Sequence, residues 1–265
     1  MANPFTKSVG GKRQLISELS ARVPAEFGTY HEKFVGGGAL FFHLQSQGRI
    51  TKAILTDTNP RLIRTYLAVR DNVELVIAGV QKLKTDRESF YSLRSQSTDE
   101  GTDVDAAVWF VGINRMCFNG LFRENKKSQC NSPYGTPKNQ LIDPVAFRAS
   151  SLALQGVEIR CEDFSTTEPA PGDFVYMDPP YWPRNKTTAK FTSYTAKGFG
   201  PEDQTRLRDY AAELRGRGVN VLLSNSDVDE TRALYDGFDV ATVGARRAIN
   251  SRAERRGRVS ELLIR

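Results

Sequence analysis

Asp173-Phe174-Val175-Tyr176-Met177-Asp178-Pro179-Pro180-Tyr181 is an apolar run that ends abruptly in an acid, two prolines and an aromatic ring. The run has the composition of a buried strand. The prolines fix φ near -65° and cannot donate to a ladder, so the strand has to stop there with carbonyls pointing out of its carboxyl edge. Open α/β sheets bind ligands at that edge. The Asp178 carboxylate and the Pro179 carbonyl are both acceptors and together suit the two N–H donors of an amine, while Tyr181 offers a flat face for a base, a contact worth roughly 1–3 kcal/mol. Asp-Pro-Pro is also ordinary punctuation after a strand, so the rest of the chain has to decide between slot and turn.

Upstream, Lys33 to Val35 reads as a short strand end, followed by Gly36-Gly37-Gly38 and a helical stretch from Ala39 through Leu44. A glycine turn before a helix lets backbone approach a ligand and presents free N–H groups to it. Lys52 to Asp57 reads as a second strand whose terminal acid follows the glycines by about 20 residues, the place at which Rossmann-like units bind ribose hydroxyls. Asn59 to Leu83 and Asp103 to Phe118 have helical spacing, with Asn59-Pro60 as cap and first-turn proline. Ser95 to Asp103 is polar and loop-like. Phe118 to Pro137 alternates glycine, proline and basic residues as an exposed loop or hairpin does. Val157 to Arg160 is a strand followed by Glu162-Asp163-Phe164. Gly200 to Gly216 is an amphipathic helix, Val219 to Leu223 a buried strand, and Phe238 to Val243 and Val259 to Ile264 the final strands. Helices alternate with strands, so the fold class is α/β.

The 265 residues suffice for one domain with a subdomain. Lys and Arg exceed Asp and Glu by 37 to 31, and residues 244–265 hold seven arginines against two glutamates. This suits a polyanionic partner, although a solvated basic face has the same composition. Cys117, Cys130 and Cys161 are too few and too scattered for a disulfide framework or a metal knuckle. With only His31 and His43, a histidine metal centre or triad has little support, and His43 lies in an apolar stretch that favours packing. There is no apolar leader, and no apolar run approaches the roughly 18 residues that span a bilayer. A cytoplasmic protein with no membrane partner and no metal is expected.

With these pieces assembled, the chain resembles the Dam-type DNA adenine-N6 methyltransferases, the S-adenosylmethionine-dependent D12 class or alpha group. The likeness rests on Lys7-Ser8-Val9-Gly10-Gly11-Lys12, Phe34-Val35-Gly36-Gly37-Gly38-Ala39, Asp57-Thr58-Asn59 and the segment Asn114 to Arg123. It also rests on Asn131 to Gly135, Asp178 to Tyr181, Phe191 to Tyr194 and Arg247 to Ser251. The resemblance implies a Rossmann-like class I methyltransferase sheet, mostly parallel with an antiparallel C-terminal strand, formed by 1–58 and 138–265. It further implies an inserted, mainly helical target-recognition subdomain with a hairpin at 59–137.

The methyl donor implied is S-adenosylmethionine. Lys7, Ser8, Lys12, Phe34, Gly36, Gly37, Gly38, Ala39, Asp57, Asn59, Asp163, Phe164 and Asp178 are the residues expected to surround it. Within that set Asp57 is expected at the ribose hydroxyls, and Asp163 and Phe164 at the adenine; alone, Asp163 also fits a turn or cap acid. Asp178, Pro179, Pro180 and Tyr181 are the expected catalytic residues. Lys12, Phe118, Asn119, Leu121, Arg123, Lys126, Lys127, Pro133, Tyr134, Arg247 and Asn250 are expected on double-stranded DNA, with Phe118-Asn119 at the vacated base stack and Arg123 on a guanine edge.

The activity implied is methylation of a flipped adenine, within GATC, by a monomer paired in some settings with a restriction endonuclease. Carbon-5 cytosine chemistry needs a nucleophilic cysteine, in that family usually after a proline, and none of the three follows one. An RNA base methyltransferase and a catalytically silent DNA-binding homologue are the competing readings. The long segment between second strand and catalytic motif disfavours the first, and the joint presence of Phe34, Asp57, Asp178 and Tyr181 the second.

Overall fold

A computed structural model describes residues 2–7, 12–98, 100–120, 122–125, 129–137, 140–183, 198–246 and 258–265, with side chains 245, 246, 258 and 259 left aside. The described strands are β1 (Tyr30–Glu32), β2 (Ala53–Asp57), β3 (Glu158–Cys161), β4 (Phe174–Met177), β5 (Asn220–Ser226), β6 (Val240–Arg246) and β7 (Arg258–Ile264). They form one sheet in the order β3-β2-β1-β4-β5-β7-β6. The first five are parallel. β7 runs antiparallel to both β5 and β6. The sheet has the expected Rossmann-like, mostly parallel order, closed by antiparallel C-terminal strands.

β4 lies near the middle and all four of its residues are buried. Its pleat divides the core. Phe174 and Tyr176 face a large cluster with Tyr30, Phe41, Leu55 and Leu222, whereas Val175 and Met177 face a second with Val221, Leu223, Leu207 and Leu214. A hydrophobic run of period one thus serves two faces, as a parallel strand covered by helices on both sides requires.

The helices are α1 (Ile16–Ser20, after a 3-10 turn over Lys12–Leu15), α2 (Ala39–Ser46), α3 (Pro60–Asp71), α4 (Val73–Gln81), α5 (Arg87–Ser95), α6 (Asp103–Met116), α7 (Pro144–Leu154), α8 (Pro201–Gly216) and α9 (Asp229–Leu234). Asn59 caps α3 by accepting the N–H groups of Arg61 and Leu62, with Pro60 in the first turn. Thr102 and Asp105 close a reciprocal capping box at α6. The single helix expected from Asn59 to Leu83 is broken at Asn72, whose φ of -139° and ψ of 40° end α3 and start α4. β1 stops at Glu32, short of the expected Lys33–Val35. The Lys33 and Val35 N–H groups still bond to the Tyr176 and Thr56 carbonyls, so that stretch continues the edge without lying in the ladder. Helices α5 and α7 do not stand out in the apolar spacing; each begins on an aspartate cap, Asp86 and Asp143. Among the described residues no helix is long and apolar enough to cross a membrane.

Residues 59–137 build helices α3 to α6 and the hairpin that follows. They share one hydrophobic cluster with the sheet, through Leu62, Ile63, Tyr66 and Val69 on one side and Trp109, Phe110 and Ile113 on the other. The hairpin is held by bridges pairing Cys117 with Tyr134 and Glu124 with Cys130. Glu124 also pairs with Arg61 at 2.7 Å in a largely buried position.

The glycine turn after β1 is the tightest constraint at the sheet edge. Gly38 has φ 65°, and a Cβ placed there would lie 2.8 Å from the Tyr66 hydroxyl. That hydroxyl donates to the Gly36 carbonyl. Gly38→Ala is expected to destabilise the protein by about 1–3 kcal/mol in urea titrations through left-handed strain, with the clash adding to it. Gly48→Ala has a similar φ of 67° but nothing within 4 Å, so it measures the strain alone and is expected to cost less.

Candidate active site

The strand order reverses between β1 and β4, and the carboxyl ends of the parallel strands gather there. Residues 33–38 leave β1, Asp57 ends β2, Asp163 and Phe164 follow β3, and Asp178 to Tyr181 follow β4. Apart from Lys7, which is bonded to Asn114 of α6, the expected catalytic and cofactor residues that are described gather toward one edge, although they come from widely separated parts of the chain. Ser8, Leu121, Lys126, Lys127, Phe191 to Tyr194, Arg247 and Asn250 lie outside the described residues.

Asp57 is held by backbone. The Gly36 N–H donates to Oδ2 at 3.1 Å and the Asn59 N–H to Oδ1 at 3.0 Å. Burial pushes its carboxyl up, and these N–H groups pull it back in part. Phe34, half-buried, packs against Phe164 at 5.5 Å and edge-on to Phe199 at 5.8 Å, making an aromatic wall between the ends of β1 and β3. Asp163 is engaged by Arg206 of α8 through two bonds of 2.8 and 3.0 Å. The guanidinium also lies 4.3 Å from the centre of the Phe164 ring. Burial raises the Asp163 carboxyl, but the bonds from Arg206 and Ser165 outweigh it and hold it low.

Lys33 is buried behind this wall, donating to the Thr167 carbonyl at 3.1 Å. Burial lowers its pKa to about 8 against the attraction of Glu162. Lys7 is tied by its backbone to Asn114, whose amide accepts the Lys7 N–H and donates to the Lys7 carbonyl, each at 2.7 Å. Burial and Arg115 lower the Lys7 ammonium pKa. This reciprocal pair fastens the N-terminal segment to α6.

The Asp-Pro-Pro-Tyr segment is clamped from α8 and β5. Gln204, 1% exposed, donates to the Pro180 carbonyl at 2.8 Å and accepts from Asn225 at 3.0 Å. Asn225 accepts the Trp182 N–H, and the Ser226 hydroxyl donates to the Trp182 carbonyl. Among the described residues no donor meets the Pro179 carbonyl. The Asp178 carboxylate faces Lys12, with Nζ 2.9 Å from Oδ1. Distance and alignment differ here: the ion pair is close, yet Oδ1 takes no aligned hydrogen bond among the described residues. Burial raises the Asp178 carboxyl above the ordinary range, and Lys12 opposes that rise. The Tyr181 ring lies with Lys12 over it at 4.6 Å, and its hydroxyl donates to Glu261 of β7 at 2.7 Å.

On the hairpin side, Phe118 is exposed and Asn119 beside it has φ 56°, an aromatic tip on a tight turn. Arg123 is half-buried; its N–H donates to the hydroxyl of fully buried Ser132, and its carbonyl accepts from Asn131. Pro133 is exposed and its carbonyl accepts the Phe118 N–H. Tyr134 packs against Phe90, and its hydroxyl donates to the Thr85 carbonyl. Its ring is thus built into the helical insert.

Gln204, Asn225, Arg206 and Glu261 belong to this constellation without being singled out in the sequence, and Asn114, which opens a quoted segment, gains its role only from its bonds to Lys7. Only Glu261 carries a local signal, a charge inside the apolar run Val259 to Ile264.

The residues 8–249 match the family described as D12 class N6 adenine-specific DNA methyltransferase. The type II methyltransferase M1.LlaDCHI of Lactococcus lactis subsp. cremoris is 39% identical over 272 residues, covering 98% of this chain and 94% of that protein. The type II methyltransferase M.MjaIII of Methanocaldococcus jannaschii is 36% identical over 283 residues, 98% of each chain. The DNA adenine methylase of Escherichia coli strain K12 is 30% identical over 265 residues, 98% of this chain and 93% of that one.

Gln204→Ala removes one donor and one acceptor from a buried network. It is expected to cost about 1–3 kcal/mol of stability, as orphaned buried polar groups do, and to loosen the Pro180 loop. A urea titration, with proteolysis of the 178–183 segment followed by mass spectrometry, measures both.

Proposed function

The chain belongs to the D12 class N6 adenine-specific DNA methyltransferases, and from that premise we propose that it transfers a methyl group from S-adenosylmethionine to an adenine flipped out of duplex DNA at Asp178 to Tyr181. The observation that carries this reading is the buried Asp178 carboxylate at the strand switch point, held by Lys12 beside the Pro179 carbonyl and the Tyr181 ring. The residues fit the donor. The glycine turn brings bare backbone to the edge, and its shape is fixed from behind by Tyr66, which a Cβ at Gly38 would strike. Asp57 suits ribose hydroxyls, and the Phe34–Phe164 wall with Asp163 suits an adenine bounded by Arg206. When bound, the sulfonium supplies an electrophilic methyl group.

Adenine N6 is a weak nucleophile because its lone pair is delocalised into the ring. Asp178 and the Pro179 carbonyl, accepting its two N–H groups, localise that pair and aim it. With the donor bound at this edge, its sulfonium would supply the methyl group to N6 and leave as the neutral thioether, and the Asp178 carboxylate would take the N6 proton released. Positioning and charge stabilisation carry the catalysis. Base extrusion costs a few kcal/mol, and stacking on Tyr181 offsets part of it.

Residues 59–137 are assigned as the recognition part and 1–58 with 138–265 as the catalytic part. GATC is the proposed target. Phe118-Asn119 are assigned to the vacated stack, and Arg123 with Pro133 to flanking base pairs. Lys126, Lys127, Arg247 and Asn250 are assigned to the DNA backbone. Two relatives are type II methyltransferases, which supports pairing with a restriction endonuclease. The enzyme is assigned as a cytoplasmic monomer.

Base-resolution mapping of methyladenine in DNA from cells expressing the chain is expected to find it in one short sequence; methylation confined to RNA would overturn the reading. Asp178→Ala is expected to abolish transfer while leaving donor binding, followed by calorimetry, largely intact. Because Asp178 must be ionised to accept the amine and its pKa in the free enzyme is raised, kcat/KM is expected to fall with acid along a limb set above the ordinary Asp value of about 3.9. A pH profile with no loss until that ordinary value would exclude Asp178 as the acceptor.

A further inference from the structure

Two carboxylates face one ammonium at the methyl-transfer edge. Lys12 Nζ lies 2.9 Å from Asp178 Oδ1 and 3.8 Å from Glu261 Oε2. All three side chains are mostly withdrawn from water, at 6%, 23% and 18% exposure. Glu261 reaches this place because β7 is antiparallel. Of the residues of β7 that pair with β5, Glu261 comes first and lies opposite Ser226, the last residue of β5, so it stands at the carboxyl edge where parallel strands deliver their last residues. Glu261 Oε2 also receives the Tyr181 hydroxyl at 2.7 Å.

A second carboxylate beside the acceptor is costly, since the negative charge of Glu261 opposes ionisation of Asp178. Its position indicates what offsets that cost. The Lys12 ammonium holds the two contacts that a target amine needs, a nitrogen close to an Asp178 oxygen and a station over the Tyr181 ring. An arriving amine has to displace it. A cation leaving its partner inside a partly dry site pays heavily unless another anion is within reach. Glu261 is that anion, less than one bond length further away.

We propose that Glu261 is a positioning residue for methyl transfer, the anion that takes Lys12 over from Asp178 when the target amine arrives. The inference rests on the assignment of Asp178 as amine acceptor. Lys12 is then a placeholder that neutralises Asp178 until the amine arrives, and Glu261 is where it goes. The Tyr181 hydroxyl on the same Glu261 oxygen fixes the ring beside that station, so cation and ring stay in register through the exchange.

Steady-state methylation of duplex oligonucleotides by the full-length enzyme tests this with Glu261→Gln, Glu261→Asp, Lys12→Met and the Lys12→Met/Glu261→Gln double variant. Donor binding and thermal melts serve as folding controls. Glu261→Gln is expected to lower kcat about 10- to 100-fold, the range for losing one charged partner, with donor affinity unchanged and the acid limb of kcat/KM moved to lower pH. Glu261→Asp, which keeps the charge, is expected to recover at least part of that loss. The double variant is expected to be no slower than Lys12→Met alone, because the role of Glu261 vanishes with the cation it receives. Wild-type turnover by Glu261→Gln, failure of Glu261→Asp to recover any loss, or losses that multiply in the double variant would each overturn the proposal while leaving adenine methylation standing. Absence of adenine methylation by the wild-type enzyme would overturn both.

Discussion

The site depends on the parallel pairing of β1 with β4, Tyr30 opposite Phe174, His31 opposite Val175 and Glu32 opposite Tyr176. Both strands are short, and both end at the same level, so Phe34 and the glycine turn leave the sheet beside Asp178 and the prolines. A slip of one residue would reverse every side chain of β4 between its two clusters and carry Asp178 off the edge. Burial of Phe174 and Tyr176 on one face and Val175 and Met177 on the other forbids that slip. At the opposite end of the same two strands, Asp173 accepts the Thr29 and Ala170 N–H groups and meets His31 at 3.0 Å, which fixes the register from below.

The pairing also sets an electrostatic condition. Glu32 ends β1 fully buried, accepting from the Tyr30 hydroxyl and the Phe41 N–H. Burial, with the Asp178 charge adding to it, lifts its pKa to about 8. At neutral pH Glu32 is therefore mostly protonated, and the edge is spared a further buried anion beside Asp178. Burial pushes the Asp57 carboxyl up as well, but there the Asn59 and Gly36 N–H groups oppose the rise.

Much of this frame is legible in the sequence because it is written in local chemistry. The diproline stop, the glycine turn, the acid that ends β2 and the Asn59-Pro60 cap each declare themselves within a few residues. What is not legible is partnership across the sheet. Gln204 is one polar residue among several on α8, and nothing nearby announces that it alone is buried against the Pro180 carbonyl. Asn225 reads as part of a turn, yet it closes β5 and clamps Trp182. The break between α3 and α4 is equally obscure, because the apolar spacing continues through Asn72 while its backbone does not.

Of the three aspartates at the edge, two face a basic side chain and the third does not. Asp178 faces Lys12 and Asp163 faces Arg206, whereas Asp57 meets backbone N–H groups. The first two are the acids assigned to amine-bearing groups, a target base and a donor adenine. An acid that must later accept N–H donors can be held meanwhile by a cationic nitrogen, and the geometry kept by that cation is close to the geometry the ligand needs. The two stand-ins differ as their ligands' surroundings differ. Arg206 is planar, half exposed and stacked on Phe164, so water can receive it when it is displaced. Lys12 is buried, so its displacement needs a built destination, which is the physical reason for a carboxylate on β7 at Glu261.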